Sequence, residues 1–274
     1  MSLASPLLVV SDLDGTLLDE RTYDFGPARP ALAALARHGA LLVLASSKTR
    51  AEMQPLSASL GLRSPLIVEN GGAILLPREG GGYDAVARGV ARAALVQALE
   101  EVGRETGAPL RGFSSFSAEV LRRLAGLPSE AAARRALERD FDEPFVLEDE
   151  AQAAAVAAAA ERRGLLVTRG GRFFHLSGAT DKGQALRELL ALLARQGRSF
   201  TTVGLGDAAN DLPLLCAVDR PIVVPRHSGS PDPELAAALP GAELAPAPGP
   251  GGWNAAVLTV LKGGRLPTVA GGGA

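Results

Sequence analysis

Two acidic segments that are far apart in the chain each follow a short apolar run. Asp12–Thr16, with the sequence DLDGT, comes after the apolar residues 7–10, and Gly206–Asp211, with the sequence GDAAND, comes after residues 201–205. Apolar runs of this length are typical of buried strands. If both strands belong to one parallel sheet, their carboxyl ends lie at the same edge, where open α/β sheets place their ligand crevices. The sequence therefore predicts that the aspartates of these segments converge on one point.

Converging carboxylates require a cation. Like charges a few ångström apart repel one another and raise one another's pKa. A site built from few carboxylates suits Mg²⁺, which keeps several waters and often binds where phosphate is handled. A calcium loop of the EF-hand type does not fit, because the sixth and twelfth positions counted from Asp12 are not Gly and Glu. We therefore expect Mg²⁺ as the cofactor, with four carboxylate ligands: Asp12, Asp14, Asp207 and Asp211.

The alternative for Asp12–Thr16 is a polar turn, because Asp and Gly are ordinary turn residues. However, residues two apart on an extended chain point the same way, so Asp12 and Asp14 can both face the crevice. The order of the other polar motifs along the chain also favours a functional site over a turn.

Lysine is rare in this chain, which makes its positions informative. Of the 28 basic residues only Lys48, Lys182 and Lys262 are lysines. Lysine is a compact point charge, and arginine does not replace it neutrally at a phosphate site. In the first turn of a helix a lysine is electrostatically unfavourable relative to an acid. Lys182, at a predicted helix start, is therefore expected to have a functional role, whereas Asp181 beside it can simply cap the helix.

The motifs together supply the parts of a phosphoryl-transfer site, which works mainly by positioning and electrostatic stabilisation. Asp12 is expected to act as a nucleophile that forms an aspartyl-phosphate, and Asp14 as general acid and then base. Ser46, at the end of the second predicted strand, offers a hydroxyl to a phosphoryl oxygen, and Lys182 offers a positive charge. Two alternatives stay open, because Ser46 can instead cap the next helix and Asp211 can be a first-turn acid.

Composition limits the class of protein. The chain has 274 residues, 47% of them apolar, and no apolar run approaches the length of a membrane span, roughly 20 residues. The net charge of −2 argues against a nucleic-acid partner. The only cysteine, Cys216, excludes an intramolecular disulfide and is expected to be buried. We expect a soluble, cytoplasmic protein without a membrane or nucleic-acid partner.

Strands and helices alternate at both ends of the chain. This pattern predicts right-handed crossovers and a Rossmann-like α/β core, a parallel sheet with helices on both faces. A capping box, Thr49 to Glu52, marks one of the helix starts. The predicted strands are 7–11, 40–45, 66–69, 201–207 and 221–224, and the predicted helices are 27–38, 49–61, 181–196, 210–218 and 253–261.

The middle of the chain has a different pattern. After Gly80–Gly82, a predicted linker, a long helix is expected over 85–105, followed by shorter helices and strands. Gly170–Gly171 predicts a hairpin turn. The sequence thus predicts a core domain of residues 1–82 and 179–274 with an inserted α+β cap domain at 83–178.

The ordered set of DLDGT, a Ser at the end of the second strand, a Lys before a helix, and GDAAND resembles the haloacid-dehalogenase-like phosphatases. The long insert is similar to the cap of the Cof-like branch, which in that branch lies over the active site and selects the substrate. Four further segments resemble the mannosyl-3-phosphoglycerate phosphatases: Ala45–Thr49, Glu69–Gly72, Glu143–Phe145 and Gly170–Leu176. This resemblance implies Mg²⁺-dependent hydrolysis of a phosphorylated glycosyl-glycerate that releases mannosylglycerate, a compatible solute. Another sugar phosphate, or a catalytically silent binding role, is the alternative.

Such a substrate carries a phosphate, a carboxylate and sugar hydroxyls. Loop residues near the carboxyl edge of the sheet are expected to contact its organic part: Ser47, Lys48, Asn70, Gly71 and Gly72. Arg169 and Arg172, at the cap hairpin, are expected to grip the carboxylate bidentately. The alternative for these arginines is a solvated surface, and His175 is expected to be a packed hairpin residue. The sugar and its anomer, the oligomeric state and the extent of cap opening stay open.

Overall fold

The structure, a computed structural model, describes residues 6–170 and 173–269. Its strands are β1 (Leu7–Ser11), β2 (Leu41–Ala45), β3 (Leu66–Val68), β4 (Ala73–Pro77), β5 (Tyr83–Ala87), β6 (Leu110–Gly112), β7 (Asp142–Leu147), β8 (Leu165–Gly170), β9 (Phe173–Gly178), β10 (Thr201–Gly206), β11 (Arg220–Val223) and β12 (Glu243–Leu244). Its α-helices are α1 (Arg29–Arg37), α2 (Arg50–Ser59), α3 (Arg92–Thr106), α4 (Ala118–Ala125), α5 (Glu130–Leu137), α6 (Ala153–Glu161), α7 (Lys182–Arg195), α8 (Leu212–Leu215), α9 (Pro233–Ala238) and α10 (Gly249–Leu261).

The chain folds as two compact units. The first unit comprises the described residues of Met1–Ser46, Ser64–Ile67 and Asp181–Ala274, and the second comprises those of Ser47–Arg63 and Val68–Thr180. The domain boundaries expected from the sequence, at residues 82 and 179, stay a prediction.

The first unit is built on a parallel sheet, which confirms the predicted α/β class. The strand order in this unit is β12-β11-β10-β1-β2-β3. β1 is buried along its whole length and pairs in parallel with β10, so that Ser11 lies opposite Leu205. Because the two strands end side by side, Asp12 follows β1 at the same edge at which Gly206–Asp211 follows β10. The apolar runs therefore do bring the two acidic segments to one place.

Local capping fixes the starts of two helices next to the predicted site residues. Thr49 and Glu52 form the predicted capping box, since the Glu52 amide donates to Thr49 Oγ1 at 3.2 Å and the Thr49 amide donates to Glu52 Oε2 at 2.9 Å. Asp181 caps α7, because its Oδ1 accepts from the Gln184 amide at 2.7 Å. Lys182 is consequently the first residue of α7, which confirms its predicted place in the first turn of this helix.

The second unit contains a hairpin, β4–β5, and an antiparallel sheet of order β6-β7-β9-β8. Helices α3 and α6 contribute to a core with the sheet in which Phe145 and Leu176 are fully buried. Two predictions were wrong here. Gly80–Gly82 is the turn of the β4–β5 hairpin and not a linker. The first three residues of the predicted helix 85–105 belong to strand β5, and α3 begins only at Arg92.

Cys216 is exposed, which contradicts its predicted burial. It is the C-cap of α8, directly after Leu214 and Leu215, which fill the interior. Among the helices within 6–170 and 173–269, none combines the length and the apolar character that crossing a membrane requires.

Candidate active site

Three carboxylates meet at the carboxyl edge of the parallel sheet. The Asp12 amide donates to the Leu205 carbonyl at 2.9 Å, which ties the end of β1 to β10. Asp12, Asp207 and Asp211 each offer a carboxylate oxygen, and these three oxygens lie within 4.8 Å of one another. Asp12 and Asp211 are buried and Asp207 is half-buried. The predicted convergence of Asp12, Asp207 and Asp211 is thus present in the structure.

Lys182 enters this group from α7. Its Nζ atom donates to Asp12 Oδ1 at 2.6 Å and to Asp211 Oδ1 at 2.5 Å, and its side chain is 0% exposed. A buried charge is tolerated only when it is paired and hydrogen-bonded. The capping by Asp181 sets the start of α7, so the lysine in the first turn is held against the two aspartates instead of extending into solvent.

The electrostatics of the site show an excess of negative charge. Burial and then the Asp211 carboxylate raise the pKa of Asp12 well above its usual 3.8, although Lys182 opposes this. Burial and Asp211 also raise the pKa of Asp207 to about 7. Burial lowers the pKa of Lys182, but Asp12 and Asp211 outweigh it and the net shift is upward. Lys182 therefore stays charged while the carboxylates compete for protons.

A hard divalent cation fits this donor set. Carboxylate oxygens are the ligands that Mg²⁺ takes in proteins, and a cation placed among the three would offset the charge that raises the pKa of Asp12 and of Asp207. Asp14, predicted as a fourth ligand, is not one of the residues grouped in this way within the described chain. Its charge nevertheless acts on the group, because it raises the pKa of both Asp12 and Asp207.

Asp211 acts as an acid at a helix start, which is one of the two interpretations that the sequence left open, and its role as a metal ligand stays a prediction. Its Oδ2 accepts from the Asp207 amide at 3.1 Å and the Ala208 amide at 3.3 Å, as an acid at a helix start does. Its Oδ1 holds Lys182 at the same time. Gly206 makes this approach feasible, because a Cβ there would lie 2.6 Å from the Cβ of Asp211.

Two residues of the DLDGT segment have roles that were not predicted from the sequence. Thr16 Oγ1 donates to Asp207 Oδ1 at 3.0 Å and so orients that carboxylate. Gly15 has a φ of +77°, and a Cβ at this position would lie 2.5 Å from Asp207 Oδ2. The DLDGT motif itself could have indicated both roles. Gly15 is needed because only a residue without a Cβ permits Asp207 to approach the backbone at this point.

Replacing Gly15 by Ala is therefore expected to displace Asp207 and to lower kcat/KM at least about a hundredfold, the scale of a 1 Å misplacement. Gly39→Ala is the matched control, because Gly39 has a φ of +64° and a Cβ there would meet no atom of the described residues within 4 Å. Both variants should lose about 1–2 kcal/mol of stability from the left-handed backbone. Only Gly15→Ala should lose activity, and equal kinetics for the two variants would reject the steric argument.

Trp253, from α10, supports the backbone of Asp12. The Trp253 indole Nε1 donates to Ser11 Oγ at 2.9 Å, and Ser11 Oγ donates to the Asp12 carbonyl at 2.6 Å. Both Trp253 and Ser11 are 0% exposed. No sequence pattern indicates this contact, because the two partners are separated by most of the chain and meet only in the folded state.

Ser46 lies at the end of β2 and is buried. Its amide donates to the Ile67 carbonyl at 3.0 Å. The alternative in which Ser46 caps the following helix is wrong, since Thr49 is the N-cap of α2. Its predicted role toward a phosphoryl oxygen stays a prediction.

The predicted substrate-binding loops lie in the second unit. The carbonyl of Ser47 accepts from Arg139 at 3.2 Å, and the carbonyl of Lys48 accepts from the Glu69 amide at 3.0 Å. Glu69, Asn70 and Gly71 have φ values of 48°, 52° and 93°. Packing explains why residue 72 is a glycine, because a Cβ there would lie 2.5 Å from the Cβ of Phe141. The contacts of Ser47, Lys48, Asn70, Gly71 and Gly72 with a substrate stay a prediction.

Arg169 forms an ion pair with Glu150 on the surface. Its Nη1 and Nη2 atoms donate to the two Glu150 carboxylate oxygens at 2.6 and 2.8 Å, and its guanidinium lies 5.2 Å from the centre of the Phe174 ring. Its side chain is 53% exposed, so this pair contributes little to stability. The carboxylate-gripping role of Arg169 stays a prediction, and Arg172 lies outside the described residues.

The raised pKa of Asp207 leads to a pH-dependent prediction. The pKa near 7 in the folded protein lies above the ordinary 3.8, so this group's contribution to stability is complete below about pH 4. That contribution is lost as the pH rises through 7. In EDTA the melting temperature should therefore fall from pH 5 to pH 8, whereas Mg²⁺ should raise it most at pH 8. An Asp207→Asn variant should lose this pH-dependent Mg²⁺ effect, and a Mg²⁺ effect equal at all pH values would contradict the prediction.

Comparison with known proteins agrees with the geometry. A family model described as haloacid dehalogenase-like hydrolase matches residues 9–104. A protein of Methanococcoides burtonii named glucosyl-3-phosphoglycerate/mannosyl-3-phosphoglycerate phosphatase is 36% identical, over 93% of this chain and 97% of that protein. A protein of Persephonella marina with the same name is 34% identical, over 93% of this chain and 97% of that protein.

A solved structure supports the fold. The haloacid dehalogenase-like hydrolase of Bacteroides thetaiotaomicron has a TM-score of 0.64 at 20% identity, over 88% of this chain and 94% of that chain. This similarity concerns the fold, whereas the two proteins above are similar in sequence along nearly their whole length. With Asp12, Lys182, Asp207 and Asp211 assembled at the edge of its sheet, the chain belongs to the haloacid dehalogenase-like phosphatases.

Proposed function

We propose that the protein hydrolyses mannosyl-3-phosphoglycerate to mannosylglycerate and phosphate, with Mg²⁺ as its cofactor. The observation that carries the proposal is the buried contact of Lys182 with Asp12 and Asp211, next to Asp207. It occurs in a chain that is similar, along nearly its whole length, to proteins named for this activity. The substrate is a small molecule with a phosphate monoester, a carboxylate and sugar hydroxyls.

The first step transfers the phosphoryl group to Asp12. A carboxylate oxygen of Asp12 attacks phosphorus, so an O–P bond forms to the enzyme while the bond from phosphorus to the glycerate oxygen breaks. Asp14 donates a proton to the leaving glycerate oxygen. Lys182 and Ser46 stabilise the charge on the phosphoryl oxygens, and Lys182 also holds Asp12 in place.

The second step regenerates the enzyme. Asp14, now a carboxylate, accepts a proton from water as the water oxygen attacks phosphorus. The bond from phosphorus to Asp12 breaks, inorganic phosphate leaves, and Asp14 is again protonated. When bound, Mg²⁺ supplies positive charge to the phosphoryl oxygens. Asp12, Asp207 and Asp211 would hold it. The charge of Asp14 raises the pKa of two of these residues, Asp12 and Asp207.

A second candidate substrate is glucosyl-3-phosphoglycerate. The names of both related proteins combine the glucosyl and the mannosyl compound. The two sugars differ only in the orientation of one hydroxyl, and a pocket distinguishes such a pair only where it hydrogen-bonds that hydroxyl. A hexose phosphate is the third candidate.

A panel of phosphate esters tests the proposal. We expect kcat/KM to be at least about a hundredfold higher for the two glycosyl-3-phosphoglycerates than for hexose phosphates, a margin typical of sites that hydrogen-bond their substrate. EDTA should abolish the activity and Mg²⁺ should restore it. A clear preference for a simple hexose phosphate would reject the proposed substrate, and phosphate release that EDTA leaves unchanged would reject the cofactor.

A further inference from the structure

Helix α10 begins against the DLDGT segment. Gly252 lets the start of the helix lie close to the residues that lead into it, because a Cβ there would overlap the carbonyl oxygen of Ala247. A Cβ at Gly249 would lie 4.0 Å from the carbonyl oxygen of Gly15, an ordinary van der Waals distance. Both segments belong to the first unit. The start of α10 is therefore beside the segment that carries Asp12.

Two neighbouring side chains of α10 form hydrogen bonds to distant parts of the first unit. The indole Nε1 of Trp253 donates to Ser11 Oγ at 2.9 Å. Asn254 Oδ1 accepts from the Ala31 amide at 2.9 Å, in the first turn of α1. The N-cap residue of α1, Ala28, makes no side-chain cap, so Asn254 supplies a partner that this helix start needs. Trp253 thus ties α10 to β1, and Asn254 ties it to α1.

The bond from Trp253 continues to the predicted nucleophile. Ser11 Oγ, which accepts from Trp253, donates its own proton to the Asp12 carbonyl at 2.6 Å. On the other side of the same residue, the Asp12 amide donates to the Leu205 carbonyl at 2.9 Å. Because peptide units are planar, these two bonds restrain the backbone before and after the Cα atom of Asp12. They therefore restrain the direction in which its side chain leaves the backbone.

Burial makes this series of hydrogen bonds effective. Trp253 and Ser11 are both 0% exposed, and hydrogen bonds that follow one another in a dry interior polarise and strengthen one another. A serine hydroxyl rotates to suit its partners, so the indole donor also sets where the Ser11 proton points. Lys182 holds the far end of the Asp12 side chain at Oδ1, but it does not hold the backbone. Loss of the indole donor would therefore loosen Asp12 at its base.

We propose that Trp253 is a positioning residue for the nucleophile and acts through Ser11 on the orientation of Asp12. This inference rests on the proposed function and deepens it, since it gives α10 a part in the phosphoryl-transfer step. Attack on phosphorus requires that the reacting atoms be aligned, and small misplacements slow such steps strongly. Because Trp253 is fully buried, its effect should appear in kcat and not in KM.

Two variants interrupt the series of bonds at different points. Trp253→Phe keeps an aromatic ring in the buried space and removes the Nε1 donor. Ser11→Ala removes a single oxygen atom and with it both bonds. The matched control is Asn254→Ala, which removes from the same helix a hydrogen bond of the same length that leads to α1 and not to Asp12. For each variant, kcat and KM are measured with the best substrate of the panel, well below its melting temperature.

Trp253→Phe and Ser11→Ala should each lower kcat about tenfold, less than the roughly hundredfold loss that a full 1 Å misplacement can cause. Their KM values should stay within about twofold of the wild type. Asn254→Ala should lower the melting temperature and leave kcat and KM within about twofold. Unchanged kcat in Trp253→Phe, or a loss of kcat in Asn254→Ala equal to that in Trp253→Phe, would overturn the inference.

The double variant Trp253→Phe/Ser11→Ala distinguishes positioning from a packing defect. If the two residues act as one series, the double variant should lose about tenfold in kcat, as each single variant does. Independent packing defects would multiply to about a hundredfold loss, which would overturn the inference. If Trp253→Phe does not fold, Ser11→Ala alone decides. A tenfold fall in its kcat at unchanged KM would support the inference, and a normal kcat would overturn it.

The proposed function fails separately from this inference. Its failure would appear in the wild-type protein, as no hydrolysis of either glycosyl-3-phosphoglycerate. The same variants would then be compared on the phosphate ester that the wild-type protein hydrolyses best. A shared tenfold fall in kcat on that ester would still support positioning by Trp253. A rise in KM at unchanged kcat would reject it on any ester.

Discussion

Replacing Asp12 by Asn is expected to lower kcat at least about 10⁴-fold, the scale seen when a residue that acts in covalent catalysis is removed. The amide is not a competent nucleophile, so the O–P bond to the enzyme cannot form. The fold should persist, because the substitution removes one charge from a buried group of like charges and leaves Lys182 paired with Asp211. Stopped assays of phosphate release, together with the melting temperature in EDTA, measure both parts of this prediction.

Asp219→Asn is the control for this prediction. Asp219 Oδ2 accepts from the amide and the hydroxyl of Thr202, both at 2.8 Å, near the opposite end of β10. The Asp219→Asn variant should lose stability and keep its turnover number. The Asp12→Asn variant should keep its fold and lose its turnover. If Asp12→Asn retained near-normal turnover, the aspartyl-phosphate mechanism would be wrong.

Replacing Lys182 by Met is expected to affect both stability and turnover. The flexible Met side chain fills the same space, but it leaves Asp12 and Asp211 buried without their counter-charge. Breaking a buried pair in this way costs about 3–5 kcal/mol. The loss should be larger at pH 8 than at pH 5, because the unpaired carboxylates are more stable when protonated. Turnover should fall at least about a hundredfold, as when a stabilising donor is removed from an active site.

Two further variants control the Lys182 experiment. Lys262→Met changes an exposed lysine after α10 and should alter neither stability nor kinetics. The double variant Asp12→Asn/Lys182→Met should be more stable in EDTA than Lys182→Met alone, since one of the two unpaired charges is gone. Additive losses in the double variant would show that the contact between Lys182 and Asp12 is not coupled energetically.

Much of the core site was predictable because the parallel sheet follows simple rules. Two apolar runs predicted β1 and β10, and the shared edge of a parallel sheet then placed Asp12 near Asp207 and Asp211. Lys182 was predictable because lysine is scarce and unfavourable in the first turn of a helix. Asp14 was less well predicted. Its position two residues after Asp12 places its backbone at the same edge of the sheet, but it does not determine whether its carboxylate oxygens lie with those of Asp12, Asp207 and Asp211.

The hairpin β4–β5 was missed for a local reason. Glycines 80–82 are consistent with both a linker and a turn, and only the pairing of Ala73–Pro77 with Tyr83–Ala87 distinguishes the two. The residues at the start of the predicted helix 85–105 include alanines, which favour a helix when no strand partner is considered. Pairing between strands overrode the local propensity here.

The contacts of Arg139 with Ser47 and of Asp142 with His175 could not be predicted from the sequence, because the partners are distant along the chain. Arg139 meets the carbonyl of Ser47, and Asp142 meets His175, only after the second unit has folded. His175 was expected to be a packed residue, and the structure shows it mostly buried but hydrogen-bonded to a carboxylate. Composition and spacing carry no signal for such contacts.

Trapping the phosphorylated enzyme tests most directly whether Asp12 carries the phosphoryl group. The wild-type protein is mixed with the best substrate of the panel, labelled with ³²P on its phosphate, and quenched in acid within one turnover. We expect protein-bound label that hydroxylamine releases, that maps to the peptide containing Asp12, and that is absent in Asp12→Asn. Turnover without any label on the wild-type protein, or label that persists in Asp12→Asn, would contradict phosphoryl transfer through Asp12.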